Sequence, residues 1–123
     1  MLAQKTVFVV DDDAAAAASV AALMMSIGLT VETFGSAEEF LDAFTEDRDG
    51  CLVLDVRLGG MDGLELQKRL TARGCQLPVI VISGHADREL SEKALGNGAV
   101  ACFEKPFEGH ELCGIVKSVL AQN

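Results

Sequence analysis

Three uninterrupted apolar runs mark the chain: VFVV at 7–10, CLVL at 51–54 and VIVI at 79–82. Continuous runs of this length, rich in β-branched residues, predict strands covered on both faces, as in the middle of a parallel sheet. Two further candidates join them, the alternating LTVETF at 29–34 and AVACF at 99–103. Between the strands the spacing of apolar positions changes to that of a helix. Val20, Leu23, Met24 and Ile27 fall on one helical face, as do Ala37, Phe40, Leu41 and Phe44, and later Leu112, Ile115, Val116, Val119 and Leu120. Weaker helical patterns cover 63–73 and 87–97. Ser36 followed by Glu39 is a capping-box pair, and Gly28 and Gly98 stand where helices should stop. The strict alternation of strand and helix predicts an α/β fold: a five-stranded parallel sheet with helices on both faces, joined by right-handed crossovers.

Composition narrows this to one unit. At 123 residues, half of them apolar, the chain supplies one core, and 1–123 is expected to be a single domain. Nineteen acidic against ten basic residues give a net charge of −9, which argues against direct contact with nucleic acid or with an anionic membrane. The start MLAQK is not a secretory leader and no run of about 18 apolar residues is present, so a cytoplasmic location is expected. Cys51, Cys75, Cys102 and Cys113 lack the C-x-x-C spacing of zinc or redox sites and read as reduced thiols used as small apolar groups.

In an open parallel sheet, ligands bind beyond the carboxyl ends of the strands, so the residues just past each apolar run matter most. The first run ends in Asp11, Asp12 and Asp13, the third strand in Asp55, the fourth in Ser83 and Gly84, the fifth in Glu104, Lys105 and Pro106. Carboxylates crowded together raise one another's pKa unless a cation intervenes, and Mg²⁺ is held by one or two carboxylates plus waters and phosphate oxygens. Asp55 can then serve as a nucleophile toward a phosphoryl group, with Lys105 as the point charge and Ser83 as the hydroxyl on a phosphate oxygen.

The stretches DVRLGGMDGLELQ (55–67), LPVIVISGHAD (77–87) and EKPF (104–107) resemble the receiver domains of response regulators, CheY-like in fold and similar in pattern to the FixJ branch. The resemblance covers essentially the whole chain. It implies the strand order 2-1-3-4-5, an order that general fold rules already associate with CheY, and a switch in two-component signal transduction rather than an enzyme acting on a separate substrate. It places the phosphorylation site on Asp55, the metal ligands on Asp11, Asp12, Asp55 and the backbone carbonyl of Arg57, and the switch pair on Ser83 and Phe103. It puts the family's lysine at Lys105, before a proline whose peptide bond is usually cis. Arg57, Gly84 and His85 fall where phosphoryl lifetime is tuned. Mg²⁺ is the implied cofactor, with Mn²⁺ as a substitute. The implied partners are a histidine kinase or histidine phosphotransfer protein, an output domain fused or separate, and a second copy docking through the fourth helix, fifth strand and fifth helix.

Two features depart from the family pattern. Gly59 stands where proline is common, from which a looser loop after Asp55 is expected, and Ala14 to Ala18 replace larger polar residues at the start of the first helix. Two other functions fit parts of the pattern. A Mg²⁺-dependent phosphohydrolase of the haloacid-dehalogenase type would use Asp11 as its nucleophile. A receiver fold kept only as an interaction module would take no phosphoryl group.

Overall fold

A computed structural model describes residues 5–122, apart from the side chain of His85. Among the described residues β1 (Lys5–Val10), β2 (Thr30–Phe34), β3 (Asp49–Asp55), β4 (Val79–Ser83) and β5 (Ala101–Glu104) alternate with α1 (Ala14–Ser26), α2 (Ala37–Ala43), α3 (Gly63–Ala72), α4 (Arg88–Gly96) and α5 (Gly109–Ala121). A 3₁₀ turn, His85–Asp87, precedes α4. The strands pair in parallel in the order β2-β1-β3-β4-β5, as expected.

The apolar runs feed two cores by simple alternation. Phe8, Val10, Leu52, Leu54, Val79 and Val81 face α2, α3 and α4, where Phe40, Leu66, Leu70 and Ala94 meet them. Val7, Val9, Cys51, Val53, Ile80 and Ile82 face α1 and α5 and pack on Val20, Met24, Leu112, Val116 and Val119. On the first face Phe8 is ringed by Phe34, Phe40 and Phe44 at centroid separations of 5.6 to 6.5 Å. The edge strands β2 and β5 are less buried than the three in the middle, each having a neighbouring strand on one side alone.

The helix signals act as read. Ser36 Oγ accepts the Glu39 amide at 3.0 Å, and the Glu39 carboxylate returns to the Gly35 amide at 2.8 Å. Gly28 closes α1 with φ of 85°, a backbone region that costs glycine nothing. All four cysteines are free thiols, and burial pushes Cys51 up to about 12, so it stays protonated as a core group.

Strand boundaries move by one or two residues from the apolar runs, and two of the shifts have a clear cause. β5 starts at Ala101 rather than 99 because the Ala99 amide is spent on the Ala94 carbonyl at 3.0 Å, closing the end of α4. β3 begins two residues before its apolar run because Asp49 and Gly50 already pair with Lys5 and Thr6 of β1. Gly50 is buried with φ of 149°, and a Cβ there would stand 1.7 Å from the Thr6 carbonyl oxygen.

Candidate functional site

The parallel sheet sends the carboxyl ends of β1, β3, β4 and β5 to one edge, and the predicted residues collect there. The three adjacent aspartates turn out to have three different partners. Asp13 caps α1, its Oδ1 accepting the amides of Ala15 and Ala16 at 3.0 and 3.3 Å. Asp11 is buried, and its Oδ1 accepts the Asp13 amide at 3.0 Å. Asp12 is exposed and reaches across to the loop after β3, where its Oδ2 accepts the Gly59 amide at 3.0 Å. Gly59 thus joins the loop to Asp12 through an N–H that proline lacks.

Asp55 ends β3 with both carboxylate oxygens engaged. Oδ1 accepts the Arg57 amide at 2.9 Å, and Oδ2 takes the Lys105 ammonium at 3.2 Å. Lys105 is held there by its own backbone, whose N–H donates to the Ser83 carbonyl at 2.8 Å, and the Lys105–Pro106 peptide is cis. Burial alone would lower the lysine pKa. The hydrogen bond and charge of Asp55, with Asp11 and Asp13 nearby, outweigh it and raise the value. The Asp11 carboxyl is held above its ordinary range, first by burial and then by the charges of Asp55 and Asp12, against the pull of the Asp13 amide and Lys105. A carboxyl raised in the folded state subtracts stability at neutral pH, and subtracts less as pH falls through the raised value.

Arg57 and Asp87 span the mouth of this site. Arg57 Nε and Nη2 donate to Asp87 Oδ1 at 2.9 and 2.5 Å, joining the loop after β3 to the 3₁₀ turn after β4. The bond to Arg57 holds the Asp87 carboxyl below the usual carboxylate range and raises the arginine in return. Gly84 opens that turn, and the side chain of His85 lies outside the described residues.

Ser83 sits at the end of β4, 2% exposed, and its Oγ accepts a hydrogen bond from Ser91 Oγ of α4 at 2.6 Å. Phe103 lies half-buried on β5, its ring 5.8 Å from that of Phe107. Three contributors were missed by the sequence reading: the Gly59 amide, Asp87 and Ser91. Asp87 ends the stretch LPVIVISGHAD (77–87), but nothing in its spacing marks it as a partner for Arg57, and a serine inside a polar helix carries no mark at all.

The donors at this edge are all oxygen and crowded, with Lys105 and Arg57 as the neighbouring positive charges, a set that suits a hard divalent cation. Among the described residues no three acidic, cysteine or histidine side chains form a ready-made metal cage. Mg²⁺ does not demand one, since it keeps several waters. A groove of about 500 Å³ lies at the other edge of the sheet, lined by Phe44, Arg48, Asp49, Cys75 and Pro78 among others, and includes none of the predicted site residues.

Comparison with known proteins agrees with this geometry. The family model described as the response regulator receiver domain matches residues 7–117. The response regulator protein TodT of Pseudomonas putida is 44% identical over 114 residues, which is 93% of this chain and 50% of TodT. The transcriptional regulatory protein FixJ of Bradyrhizobium diazoefficiens is 40% identical over 122 residues, 99% of this chain and 60% of its own length. The chain thus spans about half the length of such relatives. Among solved structures, the one titled FixJ-N superposes with a TM-score of 0.90 at 34% identity, covering 99% of this chain and 98% of the other.

Proposed function

The chain belongs to the response regulator receiver domain family of two-component systems, and from that premise we propose that Asp55 accepts a phosphoryl group and that the domain changes its binding surface in response. The observation that carries this reading is the ion pair of Asp55 Oδ2 with Lys105 Nζ at 3.2 Å, at the edge where Asp11 and Asp12 also stand. In the reaction an Asp55 carboxylate oxygen attacks the phosphorus of a phosphohistidine on a histidine kinase or phosphotransfer protein. The P–O bond forms as the P–N bond breaks, and the partner's imidazole leaves. Lys105 then sheds its pairing with the carboxylate oxygen and meets the phosphoryl oxygens, for which it is already within reach. Ser83 supplies a hydroxyl to the same group.

Asp11, Asp12, Asp55 and the backbone carbonyl of Arg57 are the proposed ligands of Mg²⁺, or of Mn²⁺ in its place. When bound, the ion neutralises charge on the transferring phosphoryl oxygens. The output is a population shift. Ser83 turns toward the phosphoryl group, Phe103 follows inward, and the face of α4, β5 and α5 changes its preference for an output domain or a second copy. Exposed Leu95 and Val100, at 46% and 48%, support that face as a contact surface. Among the described residues no helix is long and apolar enough to cross a membrane. The test is incubation with acetyl phosphate and Mg²⁺, read by intact mass, in which the chain gains one phosphoryl group.

Two further results are expected. Mg²⁺ at about ten times its Kd stabilises the wild type by about 1.4 kcal/mol. Asp12→Asn removes a ligand and one of the charges that burden Asp11, so it melts higher than wild type in EDTA but gains less from Mg²⁺. Thermal melts at fixed ionic strength check both, and an equal Mg²⁺ gain in the variant removes Asp12 from the site. Arg57 concerns lifetime, because its side chain bridges to Asp87 across the path of the attacking water. Arg57→Ala should speed loss of the phosphoryl group by more than about twofold, a barrier change of about 0.4 kcal/mol or more. An unchanged decay rate, with His85→Ala also unchanged, excludes these positions as rate tuners.

A further inference from the structure

We propose that Ser91 is a positioning residue that holds the Ser83 hydroxyl in the unphosphorylated state and couples its release directly to α4. The inference rests on Ser83 acting as the switch hydroxyl. Its basis is the Oγ to Oγ hydrogen bond of 2.6 Å between two serines that are 2% and 8% exposed. Ser91 lies on the inner face of α4, one turn before the fully buried Ala94. That stretch of helix is fastened from both sides. The Ser91 carbonyl accepts the Cys102 thiol of β5 at 3.4 Å, and the Ala94 carbonyl accepts Gln67 Nε2 of α3 at 3.1 Å. Ser91 is thus a fixed hydrogen-bond partner on a braced element.

The two buried hydroxyls share one hydrogen bond, so the resting Ser83 hydroxyl is tied to Ser91. When Ser83 turns to a phosphoryl oxygen this bond breaks, and Ser91 must seek a new partner in a place where water is scarce. The bond therefore biases the domain toward its resting state. A typical net hydrogen bond corresponds to about threefold to tenfold in such an equilibrium. Ser83 and α4 are joined without passing through Phe103, so the first element of the output face to sense Ser83 is α4 itself.

The test uses beryllofluoride with Mg²⁺ as a phosphoryl mimic, titrated against the amide signals of residues 83–92. Ser91→Ala is expected to bind about threefold to tenfold more tightly than wild type, because only the resting state loses a bond. Ser91→Thr restores a hydroxyl and returns the affinity toward the wild-type value, which a merely structural role does not explain. In a Ser83→Ala background, Ser91→Ala should leave the affinity unchanged. Without any variant, wild-type amides 90–92 should lose hydrogen-exchange protection when the mimic binds. Equal affinity of wild type and Ser91→Ala, the same tightening in the Ser83→Ala background, or unaltered protection overturns the role of Ser91 while leaving the phosphorylation reading intact. Failure of the wild type itself to bind overturns that reading, and the role of Ser91 with it.

Discussion

Replacing Asp55 by Asn is expected to abolish phosphoryl uptake altogether, from one group per chain to none, under conditions of acetyl phosphate and Mg²⁺ that load the wild type. Asn keeps the shape of the side chain and can still accept the Arg57 amide that now reaches Oδ1 at 2.9 Å. It has no anionic oxygen with which to attack phosphorus, and it removes the charge that Lys105 meets at 3.2 Å. The fold should survive, so loss of uptake reads as chemistry rather than unfolding. The same experiment separates the rival enzymatic reading. A dehalogenase-type phosphohydrolase would label at Asp11 and ignore a change at Asp55. Asp11 is the less accessible of the two carboxylates, because it is buried whereas Asp55 is partly exposed. Label retained by Asp55→Asn, trapped with hydroxylamine and mapped by peptide mass, moves the site elsewhere. A wild type that never takes a phosphoryl group leaves a receiver fold used only for contact.

The second large effect concerns stability and lies at the far end of the same strand. Gly50→Ala places a Cβ 1.7 Å from the Thr6 carbonyl oxygen, at a φ of 149° that alanine rarely adopts. The obstacle is backbone, and it sits where β1 and β3 pair, Thr6 opposite Gly50, in the centre of the sheet. No side chain can swing aside, so the two central strands must separate locally. A cost of about 3–5 kcal/mol is expected, a large share of the roughly 5–15 kcal/mol that holds such a domain. The melting temperature should fall by on the order of 10 °C or more. Gly96→Ala is the control, since a Cβ there meets nothing within 4 Å in α4 and alanine favours the helix. It should melt no lower than wild type. Equal melting of Gly50→Ala and Gly96→Ala would contradict the close approach of β1 and β3.

The architecture was legible because its signals are local and repeated. Runs such as Val7 to Val10 and Val79 to Ile82 name central strands by being apolar on both faces, and the cores they feed are the two faces of one sheet. The chemical edge was legible for the same reason, because Asp11, Asp12, Asp55, Ser83 and Lys105 each stand at or just past the end of a strand. What could not be read are contacts between loops far apart in the chain. Asp12 meeting the Gly59 amide spans 47 positions and Arg57 meeting Asp87 spans 30, and neither has a periodicity to announce it. Besides backbone freedom, Gly59 brings a hydrogen-bond donor that proline lacks, and its acceptor is visible only in the fold. The triple aspartate was likewise legible as a cluster but not as a division of labour, since which of three neighbours caps a helix depends on where the strand ends to the residue.

The separation of the two cores also sorts the aromatic rings of the chain, and this has a spectroscopic consequence. There is no tryptophan or tyrosine, and six phenylalanines are the whole aromatic complement. Four of them, Phe8, Phe34, Phe40 and Phe44, are packed edge and face against one another on the α2 side of the sheet. Phe103 and Phe107 form a separate pair on the α5 side. Intrinsic fluorescence at tryptophan wavelengths is therefore silent, while ring-current shifts fall into two independent groups. With fluorine-labelled phenylalanine, the four-ring group serves as an internal reference within the same molecule. The resonance of Phe107 then becomes the gauge of any movement of its neighbour Phe103, free of background from the other face.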